Sequence, residues 1–156
     1  MVFHSIFARE LVKAGYTVIS PDYPLFMNRE DCDTTVGMGT KECCGKPAQA
    51  VMMAVDYIKA HAEHLHVNPD QIVILGGSAG GMTAFYAIAS RPSEFKAFVN
   101  LWGAPLDIPA MTGFPPVLTV HGTDDVLVPF ELEQSVQAAL EDAGIYLSLI
   151  HISEPT

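Results

Sequence analysis

Apolar residues along the chain fall into short runs of two kinds. Ile6, Phe7, Leu11, Val12 and Ala14 lie on overlapping helical faces between about Ser5 and Ala14, and Gly15 is placed to close that helix. Tyr16-Thr17-Val18-Ile19-Ser20 is a β-branched run stopped by Pro21, so it predicts a strand buried on both faces. Periodicity then vanishes from Asp22 to Lys46, which predicts a long functional loop. Val51, Ala54, Val55 and Ile58 return to helical spacing, predicting the longest helix from Pro47, as its first residue, to His66. After the turn Asn68-Pro69-Asp70, Gln71 to Leu75 predicts a second buried strand that stops in a glycine-rich turn. A helix from about Ala79 to Ser90, strands at Lys96–Leu101 and Pro116–Val120, a helix from Phe130 to Ala143 closed by Gly144, and a last strand complete the pattern. Helices alternating with short apolar strands specify an α/β fold, a mostly parallel sheet with helices on both faces.

Composition narrows the partners. Eight Lys+Arg against eighteen Asp+Glu give a net charge of −10 in 156 residues, which excludes a nucleic-acid or anionic-membrane partner that needs clustered positive charge. No apolar run approaches the roughly 18 residues of a membrane span. Cys32, Cys43 and Cys44 are an odd set, two of them adjacent, so loop packing in a reducing compartment such as the cytoplasm is expected rather than a disulfide framework. Oligomeric state is not legible.

The chemistry concentrates at Gly76-Gly77-Ser78-Ala79-Gly80, a G-x-S-x-G sequence at a strand-to-helix turn. Such a turn holds a serine hydroxyl proud of the sheet edge, and the glycines two positions to either side remove side chains expected to collide there. The start of the next helix brings backbone N–H groups beside the hydroxyl, so Ala79 N–H is a candidate oxyanion donor. Neither phosphate-loop pattern fits, because Ser78 interrupts G-x-G-x-x-G and Met82 follows Gly81 where a P-loop has Lys. A serine nucleophile needs a base held by a carboxylate, and Asp124 and Asp125, just past a later strand, compete for that role.

His121-Gly122-Thr123-Asp124-Asp125-Val126-Leu127-Val128-Pro129 resembles the acid strand end of the α/β-hydrolase fold, and that resemblance selects Asp125 and makes His121 a structural turn residue. Tyr16 to Leu25, Val67 to Ile72 and Ser78-Ala79-Gly80-Gly81 are similar to carboxylesterase and acetyl-esterase/lipase segments, with Pro24 and Gln71 standing where arginines are usual. The resemblance implies a serine hydrolase that cleaves small-molecule carboxylic esters through an acyl-enzyme, without cofactor or metal. It also implies that residues 1–146 are a partial hydrolase domain lacking its first strands, a second oxyanion donor and its C-terminal end. Residues 147–156 resemble the translation of a sequencing-library adapter, a non-native tail. His151 would then sit in a strand, and the catalytic histidine would fall beyond Thr156. A peptidase or acyl-transferase on the same fold, or a non-catalytic module, are the alternatives.

Several other residues carry weaker signals. His61, His64 and His66 crowd one helix end, where solvated side chains are expected rather than metal ligands. Met27, Met38, Met52 and Met53 could line an acyl pocket but read as core filler, and Trp102 could wall the site.

Overall fold

A computed structural model describes residues 2–24 and 39–152, with side chains from Ile6 onward. Cys32, Met27, Met38 and the last four residues of the expected tail therefore lie outside the described residues. Helix α1 (Val2–Lys13) is followed by α2 (Lys41–Ala60), α3 (Ala62–Leu65), β1 (Val73–Gly77) and α4 (Ala79–Ser90). A 3-10 turn at Pro92–Glu94 leads to β2 (Ala97–Leu101), β3 (Val117–Gly122), α5 (Phe130–Asp142) and β4 (Leu147–Ile152). The four strands form one parallel sheet in the order β1-β2-β3-β4. Helix-linked parallel strands cross over right-handed, so α4 and α5 lie on the same sheet face.

Register sorts the strand residues. Ile74, Phe98, Val117 and Leu147 align across the sheet on the helix-covered face. Phe98 is fully buried against Phe85 of α4, edge to face at 4.9 Å between centroids, and Val136 and Leu140 of α5 join the same cluster. Helix α2 packs on α4 and contributes Ala48, Met52 and Val55 to that core. On the opposite face Val73, Leu75 and Ile150 remain exposed, so β1 is less buried than its composition predicts.

Tyr16 to Ser20 is not a strand among the described residues. It forms no regular element, and Tyr16, Val18 and Ile19 are exposed. Residue type favours an extended backbone here, but sheet membership also needs a neighbour presenting aligned N–H and C=O groups, and no described strand pairs with it.

Helix α2 starts at Lys41, so Pro47 is a buried interior residue rather than the first helical one. Burial of Cys43 and Cys44 in the first turns of α2 carries the helix past the missing N–H of that proline. The helix also stops at His61, whose ring nitrogen lies 2.8 Å from the Tyr57 carbonyl and whose ring stacks on Tyr57. His64 is exposed, and left-handed His66 closes α3.

The cysteine reading is also corrected. Cys43 is disulfide-bonded, and Cys44 is buried and not part of a disulfide. Met52 is core and Met53 is exposed.

Two helix ends match the sequence closely. Gly15 (φ 92°) and Gly144 (φ 70°) are left-handed, and the following Tyr16 and Ile145 donate back to Leu11 and Leu140, each at 2.9 to 3.0 Å. Strand β4 pairs with β3 from Leu147 to Ile152, so six residues of the expected tail form the sheet edge.

Truncating Phe98 to Ala removes a fully buried ring at the centre of the core and should lower unfolding free energy by about 3 to 5 kcal/mol. Val126→Ala, at an 89% exposed side chain, should change it by less than about 0.5 kcal/mol. Urea denaturation of both variants measures the contrast.

Candidate active site

Ser78 sits between β1 and α4 with φ 52° and ψ −122°, a conformation that costs a non-glycine residue of order 1 to 3 kcal/mol. Two hydrogen bonds hold it: Ser78 N–H donates to the Leu101 carbonyl at 2.9 Å, and Met82 N–H donates to the Ser78 carbonyl at 3.0 Å. As the first residue of α4, Ala79 has no helical carbonyl one turn earlier to receive its N–H.

Glycine roles differ from the expected pair. A Cβ on Gly76 would run into the Gly80 carbonyl group, so that position admits no side chain. A Cβ on Gly80 would meet only the Tyr23 hydroxyl, at an ordinary 3.6 Å. The second crowded position is Gly81, where a Cβ would stand 2.5 Å from Asn100 Oδ1 and 3.0 Å from Gly103 Cα. The turn is squeezed from the β2 side, so the residue facing β2 must be glycine.

Strand register brings the remaining candidates to the same sheet edge. Gly77, Leu101, Val120 and Ile150 align, so Ser78, Trp102 and the loop after Gly122 all emerge at the carboxyl ends of parallel strands. Asp125 is fixed there: its Oδ1 accepts Leu127 N–H at 2.8 Å and Val128 N–H at 2.9 Å. Its Oδ2 stands 3.8 Å from His121 Nε2. Asp124 is exposed. Trp102, Gly122, Asp124, Asp125 and Ile152 line a cavity of about 310 Å³. Trp102 is left-handed (φ 45°), and its ring would touch a Cβ on Gly77 at 3.7 Å, so it reaches from the acid side toward β1. A second cleft of about 460 Å³, between α1 and Val18 and Ser20, contains none of these residues.

His121 is fully buried, and its Nε2–H donates to the Val128 carbonyl at 2.8 Å, in keeping with a structural turn residue. His151 lies in β4 with its ring edge-on to Phe130 at 4.9 Å. Three strand spacings, about 14 Å, separate that strand from β1.

Sequence reasoning missed two features. One is Tyr23, whose hydroxyl lies over Gly80; burial raises its pKa, with Cys44 adding to the rise, so it is a neutral O–H donor at neutral pH. The other is the buried polar set Asn100, Thr119 and Glu133. A signal for Glu133 was available, because it lies three and seven residues before Val136 and Leu140, on the apolar stripe of α5. Among the described residues no group of three or more His, Cys, Asp or Glu side chains converges as a metal site, and no helix is long and apolar enough to cross a membrane.

Gly76→Ala should lower stability by more than about 2 kcal/mol, because backbone atoms block the added methyl. Gly45→Ala, in open space on α2, should raise it by up to about 1 kcal/mol. Thermal unfolding of the two variants compares them directly.

Comparison with known proteins places this geometry. The chain is 32% identical over 85 residues to carboxylesterase SOBER1 of Arabidopsis thaliana, covering 50% of this chain and 37% of that protein. It is 34% identical over 84 residues to NocK of Nocardia uniformis subsp. tsuyamanensis, which carries an esterase name, covering 49% of this chain and 24% of that one. The chain thus spans well under half the length of both curated relatives. Among solved structures, the α/β hydrolase MGS-M1 from a Medee basin deep-sea metagenome library superposes with a TM-score of 0.65 at 25% identity, over 70% of this chain and 49% of that one. A lipase/esterase from Lactobacillus plantarum gives a TM-score of 0.77 at 17% identity, over 98% of this chain and 73% of that one. The sheet and its helices are those of the α/β-hydrolase fold, and with the BD-FAE family model matching residues 1–101, the chain belongs to the BD-FAE family.

Proposed function

We propose that this chain is part of a serine hydrolase that cleaves small-molecule carboxylic esters. Ser78 is the nucleophile, Asp125 orients the general base, and Ala79 N–H donates to the oxyanion of the tetrahedral intermediate. The observation that carries this reading is the backbone of Ser78, held at φ 52° between a parallel strand and a helix start. Such strain persists only where surrounding contacts enforce it, and it aims the hydroxyl out from the sheet edge. Asp125 is favoured over Asp124 because one of its oxygens is pinned by two backbone N–H groups, leaving the other to accept from an imidazole.

None of the histidines with described side chains takes the base role in this reading. His121 is committed to Val128, and His151 is too many strands from Ser78 for a contact of about 3 Å. Residues 1–146 are read as the partial hydrolase domain and 147–156 as the appended segment.

Two measurements test the proposal. A fluorophosphonate probe should label the chain at Ser78, and Ser78→Ala should abolish labelling. Turnover of p-nitrophenyl acetate by the chain should be at least about 10²-fold below that of the complete hydrolase domain, where Asp125→Ala should be far more damaging than Asp124→Ala. Substantial turnover by the present chain that disappears in His151→Ala would overturn the assignment of the base. Cleavage of peptide amides in preference to the ester would replace the esterase reading with a peptidase one.

A further inference from the structure

Beneath the candidate site lies a group of polar side chains that the proposed chemistry does not use. Asn100, Thr119, His121 and Glu133 are fully buried, on β2, β3 and α5. Asn100 Nδ2 has three acceptors in reach for its two hydrogens: the Gly103 carbonyl at 2.8 Å, Thr119 Oγ1 at 2.9 Å and Glu133 Oε2 at 3.3 Å. Its Oδ1 accepts Gly103 N–H at 3.1 Å. Glu133 Oε2 also faces His121 Nδ1 at 3.6 Å, and that nitrogen has no hydrogen-bond partner.

Charge counting decides where the protons are. His121 Nε2 points at a carbonyl, so it carries a hydrogen. With Glu133 ionised and His121 neutral, a carboxylate would face the bare lone pair of Nδ1, an uncompensated buried charge. With both groups protonated, the pair would be cationic and two hydrogens would meet head-on. The two remaining states, an acid facing a neutral imidazole or a carboxylate facing an imidazolium, each place one proton between Oε2 and Nδ1 and leave the pair neutral.

We propose that Glu133 is a positioning residue that shares a single proton with His121, and that this neutral buried pair holds both arms of the site in place. Through His121 it fixes Val128, whose carbonyl accepts from Nε2 and whose N–H holds Asp125. Through Asn100 it fixes Gly103, which packs against Gly81 and the Ser78 carbonyl. Burial pushes the Glu133 carboxyl up, opposed by Thr119, by the neighbouring His121 and by the Asn100 amide, in keeping with a proton retained by the pair. The placement of protons stands on the buried geometry alone. Only the description of Asp125 and Ser78 as the two arms rests on the proposed function.

The test uses the whole 156-residue chain uniformly labelled with ¹⁵N, so it reads imidazole protons and backbone amides rather than ester turnover. Asp125 and Glu133 are the charged side chains paired with His121 among the described residues. The spectrum should show His121 with hydrogen on Nε2 and with Nδ1 hydrogen-bonded to Glu133. Glu133→Gln keeps the pair neutral and can donate its amide hydrogen to Nδ1, so it should retain that spectrum. It should also retain hydrogen-exchange protection at the Leu127, Val128 and Gly103 amides. Glu133→Ala should speed exchange at those three amides about tenfold while leaving the Phe98 amide unchanged. Nε2 without hydrogen, an Nδ1 that makes no hydrogen bond to Glu133, or unchanged loop exchange in Glu133→Ala would each overturn the proposal. If Glu133→Ala does not fold, the wild-type spectrum and the Glu133→Gln rescue still decide it.

Discussion

The side-chain amide of Asn100 does the work of a peptide group where three segments meet, and the upper edge of the sheet depends on it. Two glycines, Gly81 and Gly103, let the start of α4 approach the loop after β2 so closely that no Cβ fits at either position. Backbones packed that tightly exclude water, so their polar groups need partners from within. Asn100 supplies both a donor and an acceptor to Gly103 from inside the sheet. Replacing it with an apolar residue of similar size would leave the Gly103 N–H and C=O unsatisfied at the point where the strained Ser78 turn is braced.

Much of the architecture was legible because local chemistry and tertiary role agree. Gly144 closes α5 where the apolar stripe ends, and the short apolar runs around Val99 and Leu118 fall in paired strands. Tyr16 to Ser20 shows the limit of that agreement: its residues prefer an extended backbone, yet sheet membership is decided by a neighbour that no short window of sequence reveals. Pro47 shows another limit. A proline marks a helix start by default, and only the burial of Cys43, Cys44 and Pro47 itself explains a helix that begins six residues earlier.

At the candidate site, sequence marked the residues proposed to act at the surface more readily than those that brace it. Ser78 and Asp125 are visible because motif spacing encodes the turns that present them. Asn100, Thr119 and Glu133 have no motif. Each is a polar residue at a position whose periodicity points inward, and such residues read as interruptions of an apolar pattern until their partners are known. The crowding at Gly81 rather than Gly80 was hidden for the same reason, since it arises from β2 and not from the turn itself.

The open face of the sheet has a consequence for how molecules of this chain meet one another. Val73, Leu75, Ile150 and Ile152 are between 38% and 53% exposed, beside strand edges that no described strand covers. Apolar surface next to unpaired backbone attracts its own kind. Opposing that attraction is a net charge of −10, whose reach is about 8 Å at physiological ionic strength and about 3 Å in 1 M salt. Added salt therefore removes the repulsion and leaves the attraction in place, so the colloidal behaviour of the chain is set by ionic strength.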